Sequence, residues 1–358
     1  MSSTPEFSRR PRRGHGRPTL HDVAEAAGVT RITVSRYIRQ PERVAEATAA
    51  KIREAIERTG YVPNQLAGHL ASGASRLVAA LIPNVGHSIF AETIQSLTEG
   101  LHGSGFELLL LSTGYSLERE EAQLRALTGW APGAIVVTGR QHTPGALRML
   151  REARDAGTPV VEIWDHHSQN TDPEDFAQIG FDHFQTGRQM AARLVELGHR
   201  SLAYVDSGVT EDFRAHERGD GFEAEARALG AKVKRLRANI GDAFDAGREV
   251  LPSLLAEAKS PITAAAYAND YLACGTLMEA HAQGIEVPGR LALLGFGDFP
   301  IGRQLDPSLS TVRPPTAEIG RVTARAVLES IAEGQEPLSE ALSCTLIERM
   351  STSTKTGR

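Results

Sequence analysis

Cysteine is scarce in this chain: 358 residues carry two, Cys274 and Cys344. Two distant thiols make neither a disulfide framework nor a metal-ligand spacing, which argues against a secreted disulfide scaffold or a zinc module and fits a reducing cytoplasm. No run approaches the ~18 apolar residues that span a bilayer. The N-terminal stretch is rich in arginine and has no apolar core of a signal peptide, so neither export nor a membrane partner is expected. The G-x-S-x-G, Walker and H-E-x-x-H patterns are absent too, and with them the usual hydrolase, nucleotidase and metalloprotease readings. The G-x-G within GFGDFPIG stands far from a first βαβ unit and is a weak dinucleotide signal. His166 and His167 point in different directions from one backbone and have no spaced partners, so no metal is expected. Neither a catalytic constellation nor a cofactor is implied.

What is present is divided by charge. The net charge is −5. Through Arg76 the chain has 13 Arg and Lys against 7 Asp and Glu; the remainder has 26 against 37. The basic end is the part suited to a polyanion, and the acidic bulk opposes nonspecific coating of nucleic acid. Residues 1–17 hold five arginines with Pro and Gly and almost nothing apolar, which predicts a disordered arm.

The stretch TLHDVAEAAGVTRITVSRYIR, residues 19–39, reads as two short helices around a tight turn. Thr19 and Asp22 form a capping pair, and Leu20, Val23, Ala24 and Ala27 share one face up to Gly28, a helix stop. Thr30 caps a second helix whose Val34 and Ile38 face the first, leaving Arg31, Thr33, Ser35 and Arg36 on the other side. A third amphipathic segment, Ala45 to Arg58, places Ile52 and Ile56 inward and ends at Gly60. The whole, residues 18–62, is a helix-turn-helix domain. TGYVPNQLAGHLASG follows, residues 59–73. Pro63 suits a first helical turn, and Asn64 to Ala71 could form two turns, too short to be stable alone in water. Residues 63–76 are therefore read as a hinge helix and linker.

These two motifs, in this order and at this spacing, resemble the DNA-binding head and hinge of lactose/galactose-repressor-type transcription regulators. The resemblance implies that the second helix lies in the major groove of double-stranded operator DNA, with Thr30, Arg31, Ile32 and Arg36 nearest the base edges. Arg can grip guanine bidentately and Ile32 can pack on a thymine methyl, while Thr19, Thr33 and Ser35 position the backbone. It further implies that the hinge, with Asn64 and Leu70, enters the minor groove, where Leu70 wedges between base steps and kinks the duplex. A hinge of this kind needs a twin, so a homodimer is expected. The tail IERMSTSTKTGR has no leucine heptads to make a tetramer.

From Leu77 onward short apolar runs alternate with amphipathic helices. LVAALIP, FELLLLS, GAIVVTG and PVVEIW, then SLAYVD, ITAAAYAND and LALLGF, are predicted strands, with helices between them. This is the pattern of a doubly wound α/β fold in two lobes, residues 77–350, followed by a flexible tail, 351–358. Ligands in such sheets sit at the carboxyl ends of strands. The resemblance extends here as a periplasmic-binding-protein-like effector domain. Phe90, Arg140, Glu162, Trp164, Asp165, Arg218, Asn269 and Asp298 are the strand-end candidates. Arg218 matches the family's ligand-reaching arginine, Asn269 and Asp298 its hydroxyl-binding pair, and Phe90 its stacking ring. Gly297 before Asp298, the EIWD run at 162–165 and TVRPPTAEIG at 311–320 resemble the gluconate-repressor branch. A sugar-acid effector such as gluconate needs a cation, for which Arg218 comes first and Arg140 second. The expectation is a repressor of a sugar-acid operon, with a neutral-sugar regulator or a sugar-binding transport protein as the alternatives.

Overall fold

The computed structural model describes residues 18–62, 75–86, 89–167, 176–256 and 261–353. The arm of residues 1–17 and the hinge positions Asn64 and Leu70 lie outside the described residues. The chain divides into two compact units, one ending at Ser75 and the other beginning at Arg76.

Among its described residues the first unit contains three α-helices: α1 (Leu20–Ala27), α2 (Arg31–Arg39) and α3 (Glu46–Thr59). Asp22 closes the first cap by accepting from the Thr19 amide at 2.6 Å and its hydroxyl at 2.8 Å. The Thr30 hydroxyl accepts from the Thr33 amide at 3.2 Å and so starts α2. Gly28 and Gly60 stop α1 and α3 with left-handed φ of 66° and 65°, where a side chain would be strained. Val23, Ala24, Val34, Ile52, Ala55 and Tyr61 form the buried centre. Burying a side chain the size of Val or Ile is worth about 1.5–3 kcal/mol. This small core therefore holds the three helices without disulfide or metal.

The second unit has two six-stranded sheets. In the first lobe the order is β11-β5-β4-β3-β1-β2, from β1 (Leu77–Ile82), β2 (Glu107–Ser112), β3 (Ala134–Thr138), β4 (Val160–Ile163), β5 (Ala177–Gly180) and β11 (Glu340–Ala341). In the second it is β12-β10-β9-β8-β6-β7, from β6 (Ser201–Asp206), β7 (Lys232–Arg237), β8 (Ala264–Tyr267), β9 (Ala292–Phe296), β10 (Ser310–Arg313) and β12 (Thr345–Ile347). The pairs are parallel except β10 with β12. Parallel neighbours cannot be joined by a tight turn and need crossover connections, most of them helices, which sets the α/β alternation. The chain passes between the lobes three times: after β5, after β10 and between β11 and β12.

Helices α4 (Ala91–Leu101), α5 (Leu117–Leu127), α6 (Pro144–Asp155) and α11 (Thr316–Glu333) serve the first lobe. Helices α7 (His183–Glu196), α8 (Phe213–Ala228), α9 (Ala243–Leu255) and α10 (Asp270–Ala282) serve the second. α7 and α8 cross at a mutual notch. A methyl on Gly187 would press into the Arg218 carbonyl, and one on Gly221 into the Phe184 carbonyl. Only glycine lets the two backbones approach this closely, so the position of α8 is fixed by its neighbour.

Two expectations change. Residues 351–353 are not a loose tail: Ser351 is fully buried, its Oγ donates to the Leu293 carbonyl at 2.7 Å, and its amide donates to Ser308. The start of β9, ahead of its ladder with β10, needs these partners for its own backbone groups. Arg218 is also not at a strand end, because α8 starts at Phe213 and carries it in its second turn.

Candidate nucleic-acid interface and ligand cleft

α2 presents Arg31, Ile32 and Arg36 to solvent, while Thr33 and Ser35 are half-buried. Ile32 is 72 % exposed. An isoleucine left in water beside two arginines, at the first turn of a helix, is available to a thymine methyl while the guanidiniums are available to guanine edges. Thr30 and Thr33 share a hydroxyl contact of 2.9 Å that fixes the helix start.

In the second unit a cleft of about 220 Å³ lies between the lobes at the carboxyl ends of the strands. Phe90, Trp164, Arg218 and Asn269 line it. Phe90 stands edge-on to Trp164 with ring centroids 4.9 Å apart. Trp164 follows β4 with a left-handed φ of 67°, uncommon for a side-chain-bearing residue. Its amide donates to Ile179, its indole N–H to Thr93 Oγ1 at 3.1 Å, and its carbonyl accepts from His183 Nε2 at 2.7 Å. These bonds hold the strained backbone and fix the tautomer of His183, whose Nδ1 is left to accept from Arg218 Nη1 at 2.9 Å. Burial, reinforced by Arg218 and Arg214, holds the His183 pKa well below its usual value, so the ring is neutral.

Arg218 is buried over the Phe296 ring, 3.8 Å from its centroid, and donates to the Arg214 and Ala268 carbonyls at 3.2 and 2.8 Å. Arg214, one turn earlier, is buried beside it and donates to the Thr138 carbonyl of the first lobe at 3.3 Å. Neither guanidinium has a carboxylate oxygen within 4.0 Å among the described residues. Two buried cations without an ion pair are costly unless an anion joins them. Arg214 was not among the sequence candidates, nor were His183, Asp212, Tyr271 and Phe299, which also line the cleft. The R-x-x-x-R spacing, which puts both side chains on one helical face, was the available signal.

The remaining candidates lie elsewhere. Arg140 pairs with Asp165 at 3.3 Å and with Glu217 of the second lobe at 2.6 Å, so it bridges lobes with its charge already matched. Asp165 is buried, which pushes its pKa up to about 6 against the pull of Arg214 and Arg140. Glu162 lies within β4 and accepts from Gln178 at 2.7 Å and meets His142 at 3.3 Å; His142 also meets Glu120 at 2.7 Å. Burial opposes the charged form of His142, yet these two acids raise its pKa to about 9.

Asp298 is placed away from the cleft lining. Its carboxylate is held by Arg303 at 2.8 Å, by Arg313 at 2.5 Å and by Arg349 at 2.5 Å, which leaves it occupied as a clamp on three segments. At Gly297 the Phe299 ring comes 3.2 Å from where a Cβ would be, so a side chain there would press on the ring.

Known proteins share both parts. Residues 19–64 match the model of bacterial regulatory proteins of the lacI family, and residues 191–352 that of the periplasmic binding protein-like domain. The HTH-type transcriptional regulator GntR of Pseudomonas aeruginosa is 35 % identical over 329 residues, covering 91 % of this chain and 93 % of that one. GntR of Escherichia coli K12 is 32 % identical over 315 residues, covering 88 % and 92 %. A solved LacI-family transcriptional regulator from Silicibacter pomeroyi superposes with a TM-score of 0.85 at 31 % identity, covering 94 % of this chain and all of that one. With both domain models matched and most of the chain covered in relatives of this similarity, the chain belongs to the lacI family of bacterial regulatory proteins.

Proposed function

We propose that this transcription regulator is a repressor released from its operator by a small sugar acid of the gluconate type. DNA binding and regulation come with the family; the effector is our reading. What supports it is the pair Arg214 and Arg218: two buried guanidiniums, without carboxylate partners among the described residues, in a cleft walled by Phe90 and Trp164. A carboxylate supplies the missing charge, aromatic faces cover the C–H side of a polyol, and Asn269 and Asp212 offer polar groups to hydroxyls. A neutral sugar would bring no charge to Arg218.

In this reading two copies bind a pseudo-palindromic site in the cytoplasm, with Arg31, Ile32 and Arg36 of each head reading bases and the hinges completing the contact. The effector acts through its differential affinity for the two lobe arrangements, and by linkage DNA lowers effector affinity by the same factor. The test is fluorescence anisotropy of a labelled duplex from the gene's own upstream region, titrated at fixed salt with and without D-gluconate, since phosphate contacts make affinity strongly salt-dependent. Tight binding released by gluconate supports the whole reading. Tight binding indifferent to gluconate and other sugar acids removes the effector assignment.

A further inference from the structure

The loop after β6 holds a second unsatisfied donor in the same cleft. Ser207 lines the cleft, is 6 % exposed, and its Oγ has no hydrogen-bond partner; the Nε of Arg218 is likewise buried and unpartnered. The two are neighbours through the sheet. The last register pair of β6 with β8 is Val205 with Tyr267, and two residues further along come Ser207 and Asn269. Between them, the Ala268 carbonyl accepts from Arg218.

The backbone around Ser207 is pinned. Its amide donates to Asp206 Oδ1 at 2.9 Å, and the Gly208 carbonyl accepts from Arg237 at 3.0 Å. A Cβ at Gly208 would meet the Ala238 carbonyl oxygen at 2.7 Å, so the loop cannot shift in that direction. The backbone that carries the hydroxyl is thus held by bonds in which the hydroxyl takes no part, in the cleft that Arg218 also lines. Buried polar groups are bonded in the great majority of cases, and an exception calls for an absent partner.

We propose that Ser207 is a specificity-determining residue whose hydroxyl donates to a carboxylate oxygen of the effector, alongside Arg218 Nε. The proposal rests on the sugar-acid reading and deepens it. Two unpartnered donors in one cleft fit a group that only accepts. A ligand hydroxyl would bring its own proton, and two acceptors close to Ser207 in the fold are taken: Asp206 holds the Ser207 amide, His216 and Arg235, and the Ala268 carbonyl holds Arg218. Ser207 therefore helps separate a sugar acid from the corresponding polyol.

The experiment is isothermal titration of the full-length protein with D-gluconate and with D-glucitol, which has CH₂OH in place of the carboxylate. Wild type is compared with Ser207→Ala and with Ser207→Cys, which keeps the bulk and offers a weak donor. Both variants should weaken gluconate binding by about tenfold or more, as expected for a hydrogen bond to a charged group, and change glucitol binding by no more than about twofold. The ligand-free melting temperature of Ser207→Ala should be no lower than wild type, because no protein hydrogen bond is removed. Wild-type affinity for gluconate in both variants overturns the proposal, as does equal weakening of acid and polyol, or a lower ligand-free melting temperature with unchanged gluconate affinity. Failure of wild type itself to bind gluconate overturns the sugar-acid reading first and this proposal with it.

Discussion

Replacing Gly187 by alanine tests whether backbone contact between α7 and α8 positions the ligand-reading arginines. The added methyl carbon would stand 2.8 Å from both the Arg218 carbonyl carbon and the Phe222 nitrogen, and closer still to the Arg218 oxygen. Carbon atoms rest about 3.5–4.0 Å apart, so the helices must part by roughly 1 Å along the notch. Backbone cannot change rotamer to make room, which puts the cost at the upper end of overpacking, about 3 kcal/mol. For a unit of this size that lowers the melting temperature by roughly 6–12 °C. The displaced segment carries Arg214 and Arg218, so gluconate affinity should fall even where the fold survives, while operator affinity without ligand is retained. Gly129→Ala is the control, since its Cβ meets nothing within 4 Å and the change should stay within about 0.5 kcal/mol. Calorimetric melting and gluconate titration of both variants decide it. A Gly187→Ala protein that melts and binds like wild type refutes the close-approach reasoning.

Arg31→Ala should lose discrimination at particular base pairs by about 1–3 kcal/mol; anisotropy with single-base operator variants shows this, and equal weakening on every sequence speaks against base reading. Arg214→Met and Arg218→Met should each abolish gluconate release of DNA and leave operator affinity unchanged, whereas a normal gluconate response in both rejects the anion site. Asp298→Asn should destabilise the second unit by about 2–4 kcal/mol, since Arg349, Arg313 and Arg303 lose their shared charge, and should change gluconate affinity little; the opposite pattern would return Asp298 to the ligand. His142 has a folded-state pKa raised to about 9, so its contribution is fully present below the unfolded value near 6.5 and is lost as pH rises through 9, a few kcal/mol at most. Denaturation midpoints should fall between pH 7 and 9.5 in wild type and less steeply in His142→Gln; parallel pH profiles would show that His142 does not carry the dependence.

How far the sequence could be read depended on where each residue's partners lie. α1 to α3 were legible because caps and stops are local: Thr19 with Asp22, Thr30 with Thr33, Gly28 and Gly60. The central strands β1, β3, β6, β8 and β9 were legible as apolar runs, since they are covered on both faces. β7, KVKRLR, lies at a sheet edge, where charged side chains find water or ion partners, so it carries no such run. α8 is the least legible of the helices in the sequence. Its first turns put Arg214 and Arg218 inward and bury Gly219 and Gly221, which erases the amphipathic period that marks a surface helix. That hid Arg214 and misplaced Arg218. Asp298 was misread for another reason: its three arginines stand 5, 15 and 51 residues away, and no local pattern joins them.

The arginine pair on α8 has a consequence for how such a regulator changes over generations. The helix is located by glycine-to-backbone contact, while the chemistry it reads is set by side chains one turn apart that are not needed for that contact. Address and chassis are thus written in different letters of the same short stretch, HERGDGF and the residues just before it. If the proposed reading of the pair holds, a lineage can alter the metabolite to which its operon answers by exchanging Arg214 or Arg218 and keep the operator and the fold. Duplicated copies of one ancestral gene can then diverge into separate sensors by a few substitutions, each passing through intermediates that still fold and still bind DNA.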